Sequence, residues 1–398
     1  MSTPQPVRIG VVGAGLMGKE LAGVVGRWAT LTDSPVVPEL TAVCDVVEAA
    51  RDWFRRVPTV RTLTDDYRVL LERDDVDVLY LAVPHHLHQR LYLDAVEAGK
   101  DFLGEKPFGI DPQAAGAIAH RVGSSDVFVR CSSEMPFFPG AQRAIRMIAS
   151  GALGRLVDAQ FCFLHSSDLD VAKPANWKRQ TATCGQIGVM GDLGMHVLHV
   201  PLRLGWQPMT VFAQLQDLVP VRPDGRGGMT ACDTIDNAML ACRAVDDTGE
   251  FPLALATKRI APGEMNTWSL RVMGMSGGVE FSTRNPQVLR VMAVVDGEQV
   301  WQEVQVGSQS SAPTVTGAIF EFGFADALLQ MWASYLSERA GALGDGFGCV
   351  TPQEALASHL VFDAALRSSA EERAVAVPSS HGPLRRHGPD DVLGVIGR

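Results

Sequence analysis

The sequence predicts two domains of different class: an N-terminal α/β domain on a doubly wound parallel sheet, and a C-terminal α+β domain with a large open, mainly antiparallel sheet. Three observations carry this expectation. Short β-branched runs alternate with helically spaced segments up to about residue 135. From about Phe137 that rhythm gives way to one helix and then to consecutive strand-like runs joined by turns. The length of 398 residues also exceeds the size at which a single core goes on growing. The expected domains are 1–135 and 136–398, with a helix near 352–368 placed to pack back on the first.

Taken in order, Val7 to Val12 reads as a strand and Leu16 to Trp28 as a helix, with a glycine turn between them. Thr30 to Glu39, with Asp33, Pro35 and Pro38, reads as a loop insertion ahead of a strand from Leu40 to Asp45. A polar helix around Asp65 to Glu72 precedes a buried strand from Val76 to Val83. The next helix, His88 to Ala98, stops at Gly99, a favourable position for a left-handed cap. Asp101 to Gly104, a helix from Pro112 to Val122 and Val127 to Val129 complete the alternation. Beyond it come a helix to Ser150, a strand from Leu156 to Leu164 and a helix from Met190 to Leu204. Strands are expected at 210–218, 237–244, 253–260, 268–275, 278–282 and 288–294, and helices at 322–338 and 352–368. The Pro- and Gly-rich tail from Pro378 to Arg398 is expected to be loosely held.

Composition narrows the function. A net charge of -10 without any local Lys/Arg run argues against nucleic acid. The absence of a signal-like start and of an apolar stretch of ~20 residues predicts a cytoplasmic protein with no membrane partner. Seven scattered cysteines with no Cys-x-x-Cys pair fit reduced thiols and no structural zinc.

The chemistry starts at Gly13-Ala14-Gly15-Leu16-Met17-Gly18, between the first strand and first helix. There Gly13 permits the turn, Gly15 lets the backbone approach a pyrophosphate, and Gly18 allows close helix packing. Asp45, ending the second strand, would accept hydrogen bonds from an adenosine ribose and repel a 2′-phosphate, so NAD is expected as cofactor in preference to NADP. The alternative for Asp45 is a cap of the next helix. In the second domain Asp192, His196 and His199 fall at i, i+4 and i+7, which on a regular helix is one face. Such a trio can also bind zinc, but no fourth ligand is evident and a metal-free site is expected.

The glycine turn, Val83-Pro84-His85-His86-Leu87-His88, Ala98-Gly99-Lys100 and above all Glu105-Lys106-Pro107 appear in an order that resembles the glucose-fructose oxidoreductase/inositol dehydrogenase/rhizopine-catabolism (Gfo/Idh/MocA) family. The resemblance implies a Rossmann domain. It adds Val83, Pro84, His85, His88, Glu105 and Lys106 to the cofactor contacts. It places Lys106 at the nicotinamide, orienting a substrate hydroxyl, and extends to the Asp-x-x-x-His pair Asp192 and His196. Implied, then, is an NAD-dependent dehydrogenase acting on a sugar, polyol or sugar derivative, with Lys106, Asp192 and His196 as catalytic set and a homodimer or homotetramer as assembly. His196, with an imidazole pKa near neutrality, would take the hydroxyl proton, and Asp192 would orient it or grip a neighbouring hydroxyl.

The chain departs from the family pattern at His199, at His85 and at Ser133-Glu134-Met135-Pro136. Glu134 is expected either to hydrogen-bond a sugar hydroxyl or the carboxamide, or to be a solvated crossover residue. Trp177 is expected to stack on a sugar, with Lys173 or Lys178 reaching hydroxyls, ordinary loop packing being the alternative. Substrate contacts are thus expected from Lys106, Glu134, Lys173, Trp177, Asp192, His196 and His199. Two other functions stay open at this point: a dinucleotide-binding sensor without turnover, and an NADP-dependent reductase of a carbonyl, imine or carbon-carbon double bond.

Overall fold

The computed structural model describes residues 4–379. Its first part runs β1 (Gln5–Val12), α1 (Leu16–Arg27), β2 (Val36–Cys44), α2 (Glu48–Asp52), β3 (Thr62–Thr64), α3 (Arg68–Leu71), β4 (Val78–Leu81), α4 (His88–Glu97), β5 (Asp101–Gly104), α5 (Pro112–Gly123) and β6 (Val129–Cys131). The six strands pair in parallel in the order β3-β2-β1-β4-β5-β6, the doubly wound arrangement in which the strand order reverses between β1 and β4. Helices cover both faces, so β1, β2 and β4 can be apolar almost throughout.

The second part runs α6 (Pro139–Ala149), β7 (Leu156–His165), α7 (Thr181–Cys184), a π-helical turn at Met190–Gly194, α8 (Met195–Arg203), β8 (Gln207–Gln216), β9 (Val221–Pro223), β10 (Met229–Ala231), β11 (Asn237–Val245), β12 (Glu250–Lys258), β13 (Asn266–Gly274), β14 (Gly277–Ser282), β15 (Val288–Val295), β16 (Glu298–Gln305), α9 (Phe324–Arg339), α10 (Pro352–Glu371) and β17 (Val375–Ala376). Nine strands form one sheet in the order β16-β15-β14-β13-β7-β12-β11-β8-β17, parallel only where β7 meets β12. Alternation along β7 sends Ala159, Phe161 and Phe163 into the core, where Trp206, Trp268 and Phe281 meet them. Each such fully buried aromatic contributes roughly 1.5–3 kcal/mol.

The last two long helices return to the first sheet. Leu328, Leu329, Trp332 and Tyr335 of α9 share a core with Val11, Leu21 and Val24. Helix α10, started by a Thr351–Glu354 capping box with Pro352 behind it, lies between α5 and β8. Its His359 donates from Nε2 to the Pro107 carbonyl at 2.8 Å.

Three sequence expectations change. The second strand begins at Val36, because Val36 to Glu39 pair with Gln5 to Arg8 instead of forming a loop. The helix expected from Met190 opens with the π-helical turn. Strands β3, β9, β10, β16 and β17 are additions to the expected set. The tail beyond residue 379 lies outside the described residues. Among the described residues no helix is long and apolar enough to cross a membrane.

Candidate active site

The C-terminal ends of β1, β2 and β4 surround the glycine turn. Gly13 has φ +104°, and a Cβ there would lie 2.2 Å from the Ala82 carbonyl oxygen; one on Gly18 would lie 2.4 Å from that of Gly13. Only glycine fits either place. At Gly15, by contrast, a Cβ would meet nothing within 4 Å, no side chain caps α1, and Leu16 is exposed with Met17 half-buried beside it. An open position at the positive end of a twelve-residue helix fits the pyrophosphate of a dinucleotide. Asp45 accepts the Ala14 N–H at 2.7 Å and the Val47 N–H at 2.8 Å, so its half-buried carboxylate is fixed at the tip of β2. The helix-capping role weighed for Asp45 is not what these bonds show: α2 has Val47 as its N-cap, and Asp45 bonds the Val47 N–H two residues on, which aims the carboxylate and leaves part of its about four lone-pair sites open.

The loop after β4 is rigid. His88 is fully buried; Nε2 donates to the Val83 carbonyl at 2.8 Å, Nδ1 faces the Gly109 N–H at 3.5 Å, and the ring stacks on Tyr92. Burial pulls it down to about 3, so the ring is a neutral strut of the loop. His85 donates from Nδ1 to the Cys184 carbonyl at 3.0 Å and meets the Trp177 ring edge-on, joining the Val83-Pro84 turn to the second domain.

Glu105 follows β5 and is almost wholly buried. Its Oε1 accepts from the Tyr80 hydroxyl at 2.6 Å and the Ser132 hydroxyl at 2.8 Å, and its carbonyl accepts from Tyr92 at 2.7 Å. These bonds make Glu105 a support for its neighbour. Lys106, joined to Pro107 by a cis peptide bond, donates from Nζ to the Asp192 carbonyl at 2.6 Å and to Asp192 Oδ1 at 2.9 Å. The Lys178 ammonium reaches the same Oδ1 at 2.8 Å, and Arg259 Nε lies 3.5 Å from Oδ2. Burial alone would raise the Asp192 pKa, but Lys106, Lys178 and Arg259 together hold it well below the carboxylate range. Burial also works against the Lys106 charge, yet Asp192 and Glu105 outweigh it and raise its pKa. Lys178 goes the other way: burial pulls its pKa down more than Asp192 raises it.

His196 lies on the first turn of α8. Trp268 Nε1 donates to its carbonyl at 2.8 Å, Phe163 packs edge-on against the ring, and Nδ1 lies 3.3 Å from Ser133 Oγ and 3.8 Å from Glu134 Oε2. Burial, with Lys106 adding and Asp192 opposing, holds His196 well below the usual imidazole range, not near neutrality. The ring is therefore neutral.

Several expectations need correction. The π-helical turn ends before His196, so it changes the spacing of Asp192 to the two histidines, which themselves sit one turn apart on α8, and His199 finds its partners away from Asp192. His199 packs on Phe347 beside Arg203 and Glu354, and burial pulls it down to about 3. That placement, with Asp192 already surrounded by cations, also removes the zinc alternative for the trio. Lys173 pairs with Asp168 in a separate cluster with Arg179 and Arg222, and of the two lysines it is Lys178 that reaches Asp192. Glu134 is 6% exposed, which rules out a solvated crossover residue. Trp177 is half-buried between His85 and the Lys178 ammonium. Sequence reasoning missed His165 and Arg259. Period-two alternation in β7 puts His165 on the face of Phe161 and Phe163, and its buried Nε2 has no partner. Burial, opposed by Asp192 and helped by Lys106, Lys178 and Arg259, pulls His165 down to about 4.

A dinucleotide cradle on one domain facing a lysine, a carboxylate and a neutral histidine assembled with the other defines the class of nicotinamide-dependent oxidoreductases. The match to known families is specific. The model of the oxidoreductase family with an NAD-binding Rossmann fold, GFO/IDH/MocA, matches residues 7–132, and that of the GFO/IDH/MocA C-terminal domain matches residues 141–280. The chain belongs to this family. It is 25% identical over 304 residues to levoglucosan dehydrogenase of Pseudarthrobacter phenanthrenivorans, which spans 73% of this chain and 77% of that protein. Inositol 2-dehydrogenase 4 of Saccharopolyspora erythraea is 32% identical over 151 residues, 37% of this chain and 43% of that protein. A solved levoglucosan dehydrogenase with NADH and levoglucosan superposes with a TM-score of 0.84 at 23% identity, covering 94% of this chain and all of the other. An NAD-binding oxidoreductase from Klebsiella pneumoniae gives 0.84 at 25% identity with the same coverage.

Proposed function

We propose that the protein oxidises a secondary hydroxyl of a sugar, polyol or sugar derivative in an NAD-dependent reaction, with Lys106, Asp192 and His196 as the reacting set. The observation that carries this reading is the convergence of Lys106 from the first domain with Asp192 and His196 from the second. Bound NAD would accept hydride from the carbinol carbon. Lys106, kept charged by Asp192, has a remaining N–H with which to hold the substrate oxygen and stabilise negative charge developing on it. His196, kept neutral by burial, takes the hydroxyl proton. Asp192 fixes both ammonium groups and is itself left with little freedom to turn toward the imidazole. The family relatives named for levoglucosan and inositol support a polyhydroxylated substrate, and Trp177 offers an apolar face against which a sugar ring can lie.

The test is turnover and cofactor binding of Lys106→Ala and His196→Ala. Both should bind NADH as the unmodified protein does, because dinucleotide affinity resides in the glycine turn and Asp45. Turnover on the best substrate from a sugar and polyol panel should fall by roughly a hundred- to ten-thousand-fold, about 3–5 kcal/mol of transition-state stabilisation. Near-native turnover in both variants would overturn the assignment.

A further inference from the structure

We propose that Glu134 is the positioning carboxylate of His196: it holds the imidazole with Nδ1 protonated, leaves Nε2 free to accept the substrate proton, and balances the charge that then arises on the ring. This rests on the reading of His196 as proton acceptor. Asp192 is the residue expected from the sequence to orient the imidazole, but its carboxylate is taken up by Lys106, Lys178 and Arg259. The groups facing Nδ1 come from the other domain, in the turn that follows β6: Ser133 Oγ at 3.3 Å and Glu134 Oε2 at 3.8 Å. Among the described residues His196 is the one basic side chain within 4 Å of the Glu134 carboxylate. A buried carboxylate without a cation is costly, and so is a buried imidazolium without an anion. Placed together, each lowers the cost of the other, the logic by which an acidic side chain fixes the tautomer of a catalytic histidine.

At 3.8 Å the two groups are beyond hydrogen-bond distance, and the separation can shorten when the ring becomes charged. The proton balance then closes. With NAD bound, its nicotinamide would supply the acceptor for the hydride of the carbinol C–H bond, and the O–H proton would go to His196 Nε2. The Nδ1 proton is drawn toward, and can pass to, the Glu134 carboxylate. Substrate thereby loses two electrons and two protons in all, one of these protons being held by the His196–Glu134 pair until solvent removes it. The charged and titratable groups around the pair are Glu105 and Lys106 on the Glu134 side, and Lys106, Asp192, His165 and His199 on the His196 side. Burial, reinforced by Glu105 and opposed by Lys106, pushes Glu134 up to about 7, where a carboxyl can give and take a proton under ordinary conditions. Since Glu134 must be ionised to act, turnover should rise with pH through that range.

The experiment uses the full chain with Glu134→Gln, which keeps shape and removes charge, and Glu134→Asp, which keeps charge. For Gln we expect unchanged NADH affinity, a KM within about twofold, a kcat lower by roughly ten- to a hundredfold, and loss of the rise near pH 7. Asp should recover part of the kcat and restore the rise. Imidazole nitrogen resonances of the histidine-labelled protein, with His196 assigned from a His196→Gln sample, give a readout independent of turnover: Gln should lower the His196 pKa and shift its tautomer away from Nδ1–H. Native kcat and pH profile in Gln, a loss confined to KM, or an Asp variant no better than Gln would overturn the proposal, as would a His196 resonance indifferent to the substitution. Failure of the unmodified protein to oxidise any sugar or polyol would count against the proposed function alone, and the resonance measurement would still decide the role of Glu134.

Discussion

At the residue scale, Asp45 shows how a side chain can serve the fold and the ligand together. Both oxygens accept backbone N–H groups, Ala14 on the glycine turn and Val47 ahead of α2, so the carboxylate is held still beside the cradle. A fixed carboxylate pairs well with ribose hydroxyls and badly with a phosphate. NAD should therefore bind more tightly than NADP, and Asp45→Ser should narrow the gap, chiefly by weakening NAD. Fluorescence titration with both reduced cofactors checks this; tighter NADPH binding by the unmodified protein would contradict it. Lys106, Asp192 and His196 were legible in the sequence because each sits in a motif with fixed neighbours. Arg259 and His165 were not, since each lies at or just past the end of a strand, β12 and β7, and only the pairing of those strands carries them to Asp192. Glu134 was visible as a departure from the pattern, but burial, which decides its chemistry, is a tertiary property.

At the element scale, the same glycine turn separates two demands that a motif runs together. Gly13→Ala would force a Cβ into the Ala82 carbonyl at a φ of +104° and should cost more than about 1 kcal/mol of stability along with cofactor binding. Gly15→Ala meets open space and should leave the melting temperature unchanged while weakening NADH at least about tenfold, because the added methyl occupies the approach to the helix N-terminus. Paired thermal melts and titrations distinguish them; equal effects on folding and binding in both variants would mean that the turn is not a cradle. Elements with strong apolar periodicity, such as β4, α4 and β7, were readable within a residue or two. The extension of β2 was hidden by Pro38 and Glu39, which read as loop residues yet sit in register with Val7 and Arg8. Strand β16 is an edge strand with mostly exposed side chains, so it has no apolar alternation to reveal it. The π-helical turn left no mark in residue type, and the packing of His199 on Phe347 is a tertiary contact that spacing along the chain does not show.

At the scale of the whole molecule, the nine-stranded sheet has one face packed on its own helices and another that is open. Inward positions of β8, β11 and β12, including Val211, Leu240 and Leu253, belong to the core. Their outward neighbours would ordinarily be polar in a monomer. Here they include Met209 (41% exposed), Phe212 (41%) and Met239 (50%), with Ala241 paired between Phe212 and Ala254 across three adjacent strands. Val157 on β7 extends the apolar patch toward the middle of the sheet. Contiguous apolar surface of this kind marks an interface more often than a solvated face, and a flat sheet suits a two-fold contact with its own copy. We therefore expect a homodimer, or a homotetramer built from such dimers, with the active sites on the opposite side of the sheet from the contact. Light scattering at micromolar concentration should return at least twice the chain mass. A charge placed at the centre of the patch, Phe212→Glu with Met239→Glu, should repel its symmetry mate and yield monomers that still bind NADH, because neither side chain reaches the glycine turn. A monomeric unmodified protein, or a double variant with undiminished mass, would show that this face is covered by something other than a second copy.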